Sequence, residues 1–117
     1  MNTQQVADRL VALCKEGKND EAIHELYAEN CNSFEPSFNP VPETKGLDAI
    51  KAKSQHFSSM IQEKHSGFIS EPIVQGNHFT VGMGIDFTGI DNKRTTINEI
   101  AVYEVKDGKI VNERFYY

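Results

Sequence analysis

The sequence predicts an α+β domain in which helices pack on one face of an antiparallel sheet. Two observations carry that prediction. Apolar residues recur at helical spacing through the first half of the chain, whereas the second half alternates as strands; turn formers at Gly76-Asn77, Asp91-Asn92 and Asp107-Gly108 join those strands as hairpins. A length of 117 residues fits a single domain, residues 1–117, that can bury a core without disulfide or metal staples.

Val6, Leu10, Leu13 and Cys14 lie on one helical face, with Thr3 as the expected N-cap and Gly17 as a stop, so residues 3–16 read as an amphipathic helix. Asn19 or Asp20 then caps a shorter helix with Ala22, Ile23, Leu26 and Tyr27 on its apolar face and Asn30 at its close. Cys31 to Glu35 reads as a short strand ended by Pro36. Pro40 and Pro42 mark a stiff loop, unable to join a central ladder, that is expected to rim a pocket. A third helix follows Gly46 and Asp48, with Leu47, Ile50, Phe57, Met60 and Ile61 on a broad stripe that fades near Lys64. The expected strands are Phe68–Val74, His78–Ile90, Arg94–Val105 and Lys109–Tyr117.

Along the strand that starts at His78, Phe79, Val81, Met83, Ile85 and Phe87 share one face, while Gly82 and Gly84 sit on the other. Glycines inside a strand mark a bend or a close approach. A curled sheet over a hollow, or a face packed on a second subunit, would each account for them.

The closing hairpin, Asn98 to Tyr117, sets the facing of two glutamates. A two-residue loop, Asp107-Gly108, pairs Lys106 with Lys109 and puts Glu113 opposite Val102, on the other face from Glu99. A three-residue loop, Lys106-Asp107-Gly108, pairs Ala101 with Glu113 and Glu99 with Phe115. Glu99, Glu113, Tyr103, Val111, Phe115 and Tyr117 then share one face. The second register gives the cleaner split into apolar and polar sides. Two carboxylates on one apolar face would raise the pKa of at least one, through desolvation and like-charge repulsion, and suit it to proton transfer near neutral pH. Pairing of Glu113 with Arg114, Lys109 or a neighbouring chain is the plainer reading.

Composition narrows the function classes. A hydrophobic content of 38%, a charged content of 25% and no long apolar run describe a soluble globular chain. MNTQQVADRL lacks a basic start and an apolar segment, so a cytoplasmic location is expected. The net charge of −5 offers no basic stripe for nucleic acid. Cys14 and Cys31 lack metal or redox spacing and read as buried small groups. HExxH, P-loop, GxGxxG and GxSxG patterns are missing, so neither cofactor nor metal is expected.

The order of a helix, a short helix ending LYAEN, a strand ending FEP, a helix opening on Gly46-Leu47-Asp48-Ala49-Ile50, and a meander closing on DGKIVNERFYY resembles the NTF2-like superfamily. Within it the chain is similar to the SnoaL-like and ketosteroid-isomerase-like small proteins. The resemblance spans nearly the whole chain and rests on order and spacing. It implies a cone-shaped (cystatin-like) fold, with three helices against a strongly bent, mostly antiparallel sheet, an apolar cavity, and a homodimer through the outer sheet face.

By the same resemblance, Glu35 falls where ketosteroid isomerases keep the aspartate that shuttles a proton, and Glu99 where they keep a protonated aspartate in the oxyanion hole. Glu113 and Tyr117 match lining positions on the last strand, and Tyr27 matches a supporting tyrosine of the short helix. The oxyanion tyrosine of the first helix is replaced by Val11 and its partner on the third helix by Ser54, which argues against steroid isomerisation by the family mechanism. His56 and His78 are candidates for the histidine of polyketide-cyclase relatives.

The expected function is a pocket for a small apolar molecule, with Glu35, Glu99 and Glu113 as acid/base groups of isomerase, cyclase or hydrolase type acting on a carbonyl compound. Tyr27, Phe57, Tyr103, Phe115 and Tyr117 are the expected ligand-binding residues. The alternatives are a non-catalytic binding module and a dimerisation domain whose cone is filled by Phe34, Phe38, Phe57, Phe68 and Phe115.

Overall fold

The computed structural model describes residues 1–117 as three helices and a seven-stranded mixed sheet. Helix α1 spans Thr3–Lys15. Asn2, rather than Thr3, is its N-cap: the Asn2 side chain accepts from the Gln5 amide, and the Gln5 side chain accepts from the Asn2 amide, so two orphan donors are satisfied reciprocally. Helix α2, Asn19–Leu26, has Lys18 at its N-cap position and no side-chain cap, because Asn19 and Asp20 fall inside its first turn; Asp20 there accepts from the Ser54 hydroxyl of the third helix at 2.8 Å.

Helix α2 ends four residues before the expected Asn30. Tyr27 turns extended and opens strand β1, Tyr27–Phe34, which runs parallel to the last strand of the chain. Pairing with a distant strand overrides the local helical pattern of these residues. Strand β2, Glu43–Lys45, is a short edge strand in the segment expected to be loop, and it pairs only with β1. The prolines fall before it, at positions that donate nothing to a ladder.

Helix α3 spans Leu47–Ser59, ending before the expected Lys64. Strand β3, Ile61–Ile69, follows at once and pairs with β5, His78–Gly89; Pro72 interrupts the expected continuous strand, leaving β4, Ile73–Gln75, as a separate partner of the β5 N-terminal end. Strands β6, Arg94–Lys106, and β7, Lys109–Tyr116, complete the sheet in the order β2-β1-β7-β6-β5-β3. Only the β1–β7 pair is parallel.

The closing hairpin departs from both expected registers. Its loop is the two-residue Asp107-Gly108, with both residues at positive φ (51° and 76°), as a type I′ turn requires, and Lys106 pairs with Lys109. A register shift then falls between Val105↔Ile110 and Glu104↔Asn112, so one extra residue of β7 is absorbed as a bulge at Val111. Beyond it Glu113 pairs with Tyr103 and Phe115 with Ala101. Glu113 therefore does share a face with Glu99, but through a bulge and not through a three-residue loop. Val111 drops off that face, and the buried Ile110 takes its place.

The core lies at one end of the sheet, where Val6, Leu10 and Val11 of α1 and Ala22 and Leu26 of α2 bury Phe79, Val81, Ala101, Tyr103 and Ile110. Helix α3 behaves differently. Ile50 is its single buried residue, and Phe57 and Met60 of its apolar stripe stay 39% and 44% exposed. An apolar stripe that is not closed by the sheet opposite it leaves a space between them.

Gly84 explains part of the sheet surface. A Cβ there would lie 2.5 Å from both the Phe68 ring and the Asn98 side chain, so the close approach is made by neighbouring strands of the same sheet. Phe68 covers the glycine from the outer face, as aromatic residues do beside strand glycines. Gly84→Ala is expected to cost about 1 kcal/mol through overpacking. Chemical denaturation of Gly84→Ala, Phe68→Ala and the double variant should show that part of this cost disappears once Phe68 is truncated, the remainder staying with the Asn98 side chain and the Ile97 carbonyl. An unchanged cost in the Phe68→Ala background would contradict the contact.

Candidate functional site

A cavity of about 870 Å³ opens between α3 and the inner face of the sheet. Its wall is mostly apolar, with Ile50, Phe57, Ile69, Met83, Ile85, Ile97 and Phe115 among its members. The phenylalanines do not fill it: Phe38 and Phe68 are 71% and 59% exposed, and Phe34 packs against the Arg114 guanidinium, 4.4 Å from the ring centre. Glu35, Glu99, Glu113, Tyr27, Phe57, Tyr103, Phe115 and Tyr117 all line the cavity, although they come from distant parts of the chain.

Glu113 is the most deeply placed carboxyl, 3% exposed on β7. The Tyr27 hydroxyl donates to its Oε2, and the Ser33 hydroxyl lies beside the same carboxyl. Ser33 reaches it because β1 pairs Ser33 directly with Glu113. Burial pushes the Glu113 pKa up, and the hydroxyl donors and the Lys53 ammonium only partly offset it. Tyr27 sits at the start of β1 rather than on the short helix, and ending α2 at Leu26 is what aims its ring inward. Tyr103 stacks on Phe79 with ring centres 4.7 Å apart. Burial, then the Glu113 charge, raises the phenol pKa of both tyrosines, so they act as hydroxyl donors.

Glu99 faces the cavity from β6, opposite Met83 of β5. Its pKa is pushed up to about 7, first by burial and then by the charges of Glu35 and Glu113, with Lys53 pulling the other way. It is a carboxyl poised to exchange a proton near neutral pH.

Glu35 follows β1 directly. Its backbone N–H donates to the Pro42 carbonyl at 2.8 Å, which closes the proline loop and fixes where the side chain points. The carboxylate is 15% exposed and lies 3.4 Å from the Lys53 ammonium. The Tyr117 hydroxyl accepts from the Asn39 amide at 2.8 Å, and Phe38 meets the Tyr117 ring edge-on. Asn39 and Val41 line the cavity, so the loop does form its rim.

Lys53 is the site residue that apolar periodicity passes over. It falls between Ile50 and Phe57 on the α3 stripe, three residues after one and four before the other, where the helix faces the cavity. A charged residue interrupting an apolar stripe at that spacing was the available signal. The Lys53 ammonium donates to Ser33 Oγ at 2.7 Å and sits 5.5 Å from the Phe115 ring centre.

The other residues considered from the sequence fall differently. Val11 is buried in the core, and Ser54 lines the cavity without a tyrosine beside it, so no helix-borne tyrosine completes an oxyanion hole. His56 lines the cavity, whereas His78 is exposed beside the Gly76-Asn77 turn and lies outside it. Cys31 is buried and Cys14 half-buried, both as free thiols. No group of three or more His, Cys, Asp or Glu side chains is arranged to hold a metal ion, and no helix is long and apolar enough to cross a membrane.

Known proteins of this architecture place the chain. The SnoaL-like domain family matches residues 1–117. A Mesorhizobium loti protein, described as a candidate SnoaL-like polyketide cyclase and also as a carbohydrate phosphatase, is 33% identical over 100% of both chains and superposes with a TM-score of 0.93. An NTF2-like protein of unknown function from Burkholderia pseudomallei is 16% identical over 100% of this chain and 92% of its own, with a TM-score of 0.78. A protein with a ketosteroid isomerase-like fold from Catenulispora acidiphila, in complex with trimethylamine, is 16% identical over 99% of this chain and 87% of its own, with a TM-score of 0.75. Likeness at 16% identity speaks to fold alone. Among curated proteins none matches the chain. With a whole-chain family match, a cone-shaped α+β fold and a carboxylate-lined cavity in agreement, the chain belongs to the SnoaL-like domain family, on the NTF2-like fold.

Proposed function

We propose that the cavity binds a small, largely apolar carbonyl compound and moves a proton on it. The observation that carries this reading is the convergence of Glu35, Glu99 and Glu113, from three different strand regions, on one apolar-walled cavity. Burying carboxyl groups against apolar surface is costly, and functional sites are where such a cost is commonly kept.

In this reading Glu35 is the general base. It takes a proton from the carbon next to the substrate carbonyl, and the electron pair of that C–H bond moves into the enol. Glu99, protonated in part of the molecules at neutral pH, hydrogen-bonds the carbonyl oxygen as charge develops there. Return of the proton from Glu35 to a different carbon completes an isomerisation, while attack of the enol carbon on a second carbonyl of the same molecule breaks that C=O π bond, and the alkoxide it leaves takes the proton held by Glu35 to complete a cyclisation. The cyclase description of the Mesorhizobium loti relative supports the second outcome. Glu113, buried, held by Tyr27 and flanked by Ser33, supports the site from below.

The exchange of carbon-bound hydrogen for deuterium in a panel of cyclic ketones and 1,3-diketones, followed by NMR, tests this function. Glu35→Gln is expected to lower the exchange rate about 100-fold or more at little cost in stability. The wild-type rate should fall as pH rises through about 7, where Glu99 loses its proton. An equal rate per folded molecule in Glu35→Gln would overturn the catalytic reading and leave the binding module.

The same reading seats a second copy on the outer face of the sheet, where Phe68, Ile100 and Tyr116 are each more than half exposed. Light scattering should give twice the chain mass of 13.2 kDa, and a monomer at micromolar concentration would overturn the dimer.

A further inference from the structure

We infer that the Pro36–Pro42 loop is a lid, held open by the Tyr117 hydroxyl, that swings about its neck to lay Phe38 and Val41 on Phe57 and Met60 of α3 when an apolar molecule occupies the cavity. The inference needs the cavity to admit such a molecule, and does not need the proton transfer proposed above.

The loop is built to move as one body. Strand β2 pairs only with β1, so the hairpin that carries the loop stands at the edge of the sheet. Inside the loop the Asn39 backbone N–H donates to the Pro36 carbonyl at 2.9 Å, and Asn39 Oδ1 accepts from the Val41 amide at 2.8 Å. Pro36, Pro40 and Pro42 fix φ at three further positions. The bond from the Glu35 N–H to the Pro42 carbonyl closes the neck, where a hinge would absorb the change of angle. Between this body and the rest of the molecule there is one hydrogen bond, from Asn39 Nδ2 to the Tyr117 hydroxyl at 2.8 Å, beside the edge-on contact of the Phe38 and Tyr117 rings. A single neutral hydrogen bond is a light latch, worth a factor of about ten at most.

The loop also has a surface to close on. The Gly46 N–H bonds to the Cys31 carbonyl, and Lys53 reaches Ser33 and Glu35, so α3 and β1 advance in the same direction. Phe57 therefore lies one helical turn, about 6 Å, beyond the level of Glu35, on the side toward which the chain leaves β1. Phe57 and Met60 line the cavity together with Asn39 and Val41. Apolar side chains are uncovered on both banks: Phe38 and Val41 are more than half exposed, and Phe57 and Met60 more than a third. Bringing the banks together takes all four out of water. Without a ligand the closed loop would overhang solvent, whereas an apolar molecule in the cavity supplies a floor beneath Phe38. Such a ligand binds the closed form better than the open one, which is what a shift of the equilibrium requires.

The test follows the neutral fluorophore N-phenyl-1-naphthylamine by stopped flow on the full chain, in wild type, Phe38→Ser and Tyr117→Phe. Both side chains are about half exposed or more, so the variants should fold. Phe38→Ser strips the lid of its apolar face, and dye release should quicken about tenfold, the order of leaving one large apolar side chain uncovered. Tyr117→Phe keeps the ring and removes the latch, so the closed form gains and both dye entry and dye release should slow severalfold. A passive wall would instead lose contacts in both variants, and neither would slow release. Fluorine NMR of protein carrying 4-fluorophenylalanine, with the Phe38 signal assigned by Phe38→Leu, should show that signal losing contact with a soluble paramagnetic agent once dye is bound. A Phe38 signal equally accessible with and without dye, or release from Tyr117→Phe as fast as from wild type or faster, would overturn the lid.

Discussion

The structure turns on one inserted residue. The type I′ turn at Asp107-Gly108 on its own would send Glu113, Phe115 and Tyr117 to the outer face of the sheet, because side chains alternate with a period of two and one step of register reverses them all. The bulge at Val111 restores the inward facing. Everything at the cavity floor follows from it. Tyr27 can end α2 and hold Glu113, Ser33 can sit between Glu113 and Lys53, and Phe115 can line the wall below α3. The parallel β1–β7 pairing locks the arrangement, since Ser33 and Glu113 are register partners.

That arrangement works against stability at high pH. Glu99 and Glu113 both have folded-state pKa values above their ordinary range, so the folded state favours their protonated forms. The stability tied to those protons is fully present below the unfolded-state pKa and is lost as pH rises through the folded value. For Glu99 the loss runs between about 4.5 and about 7, where a carboxyl released to water would already have ionised. The donors around Glu113 limit its share of the cost. A protein that kept such groups only for packing would be better served by glutamine or leucine at these positions. The surface ion pairs, such as Arg9–Glu25 at 2.8 Å, are exposed and contribute little to offset it.

Much of the fold is legible in local pattern. The helical spacing of Val6, Leu10 and Leu13, the alternation from Phe79 to Phe87 and the Asp-Gly and Gly-Asn turns each reflect short-range physics, and β5, β6 and β7 begin and end within a residue or so of where those patterns place them. The departures are tertiary. Tyr27 to Asn30 carry a helical pattern, yet the chain extends from Tyr27, which pairs with Ile110 of β7, and rejoins β7 at Asn32 after a register shift. Ile61 to Lys64 leave the helix to pair with β5. The bulge is invisible because Val111 is as apolar as Ile110, so composition favours a regular face that the structure does not use. At the site, the carboxylates stand out as charges in apolar strands, whereas Lys53 hides on a helix whose charged residues are expected to face water.

Burial in the cavity raises the pKa of two of its carboxyl groups, that of Glu99 to about 7 and that of Glu113 above its ordinary value. Carbon-13 NMR titration of the glutamate side-chain carboxyls, with Glu99 and Glu113 assigned by substitution with glutamine, measures that directly. The expected result is a Glu99 midpoint of about 7 and a Glu113 midpoint above the ordinary glutamate value. Midpoints for both near the unperturbed value of about 4.3 would contradict it.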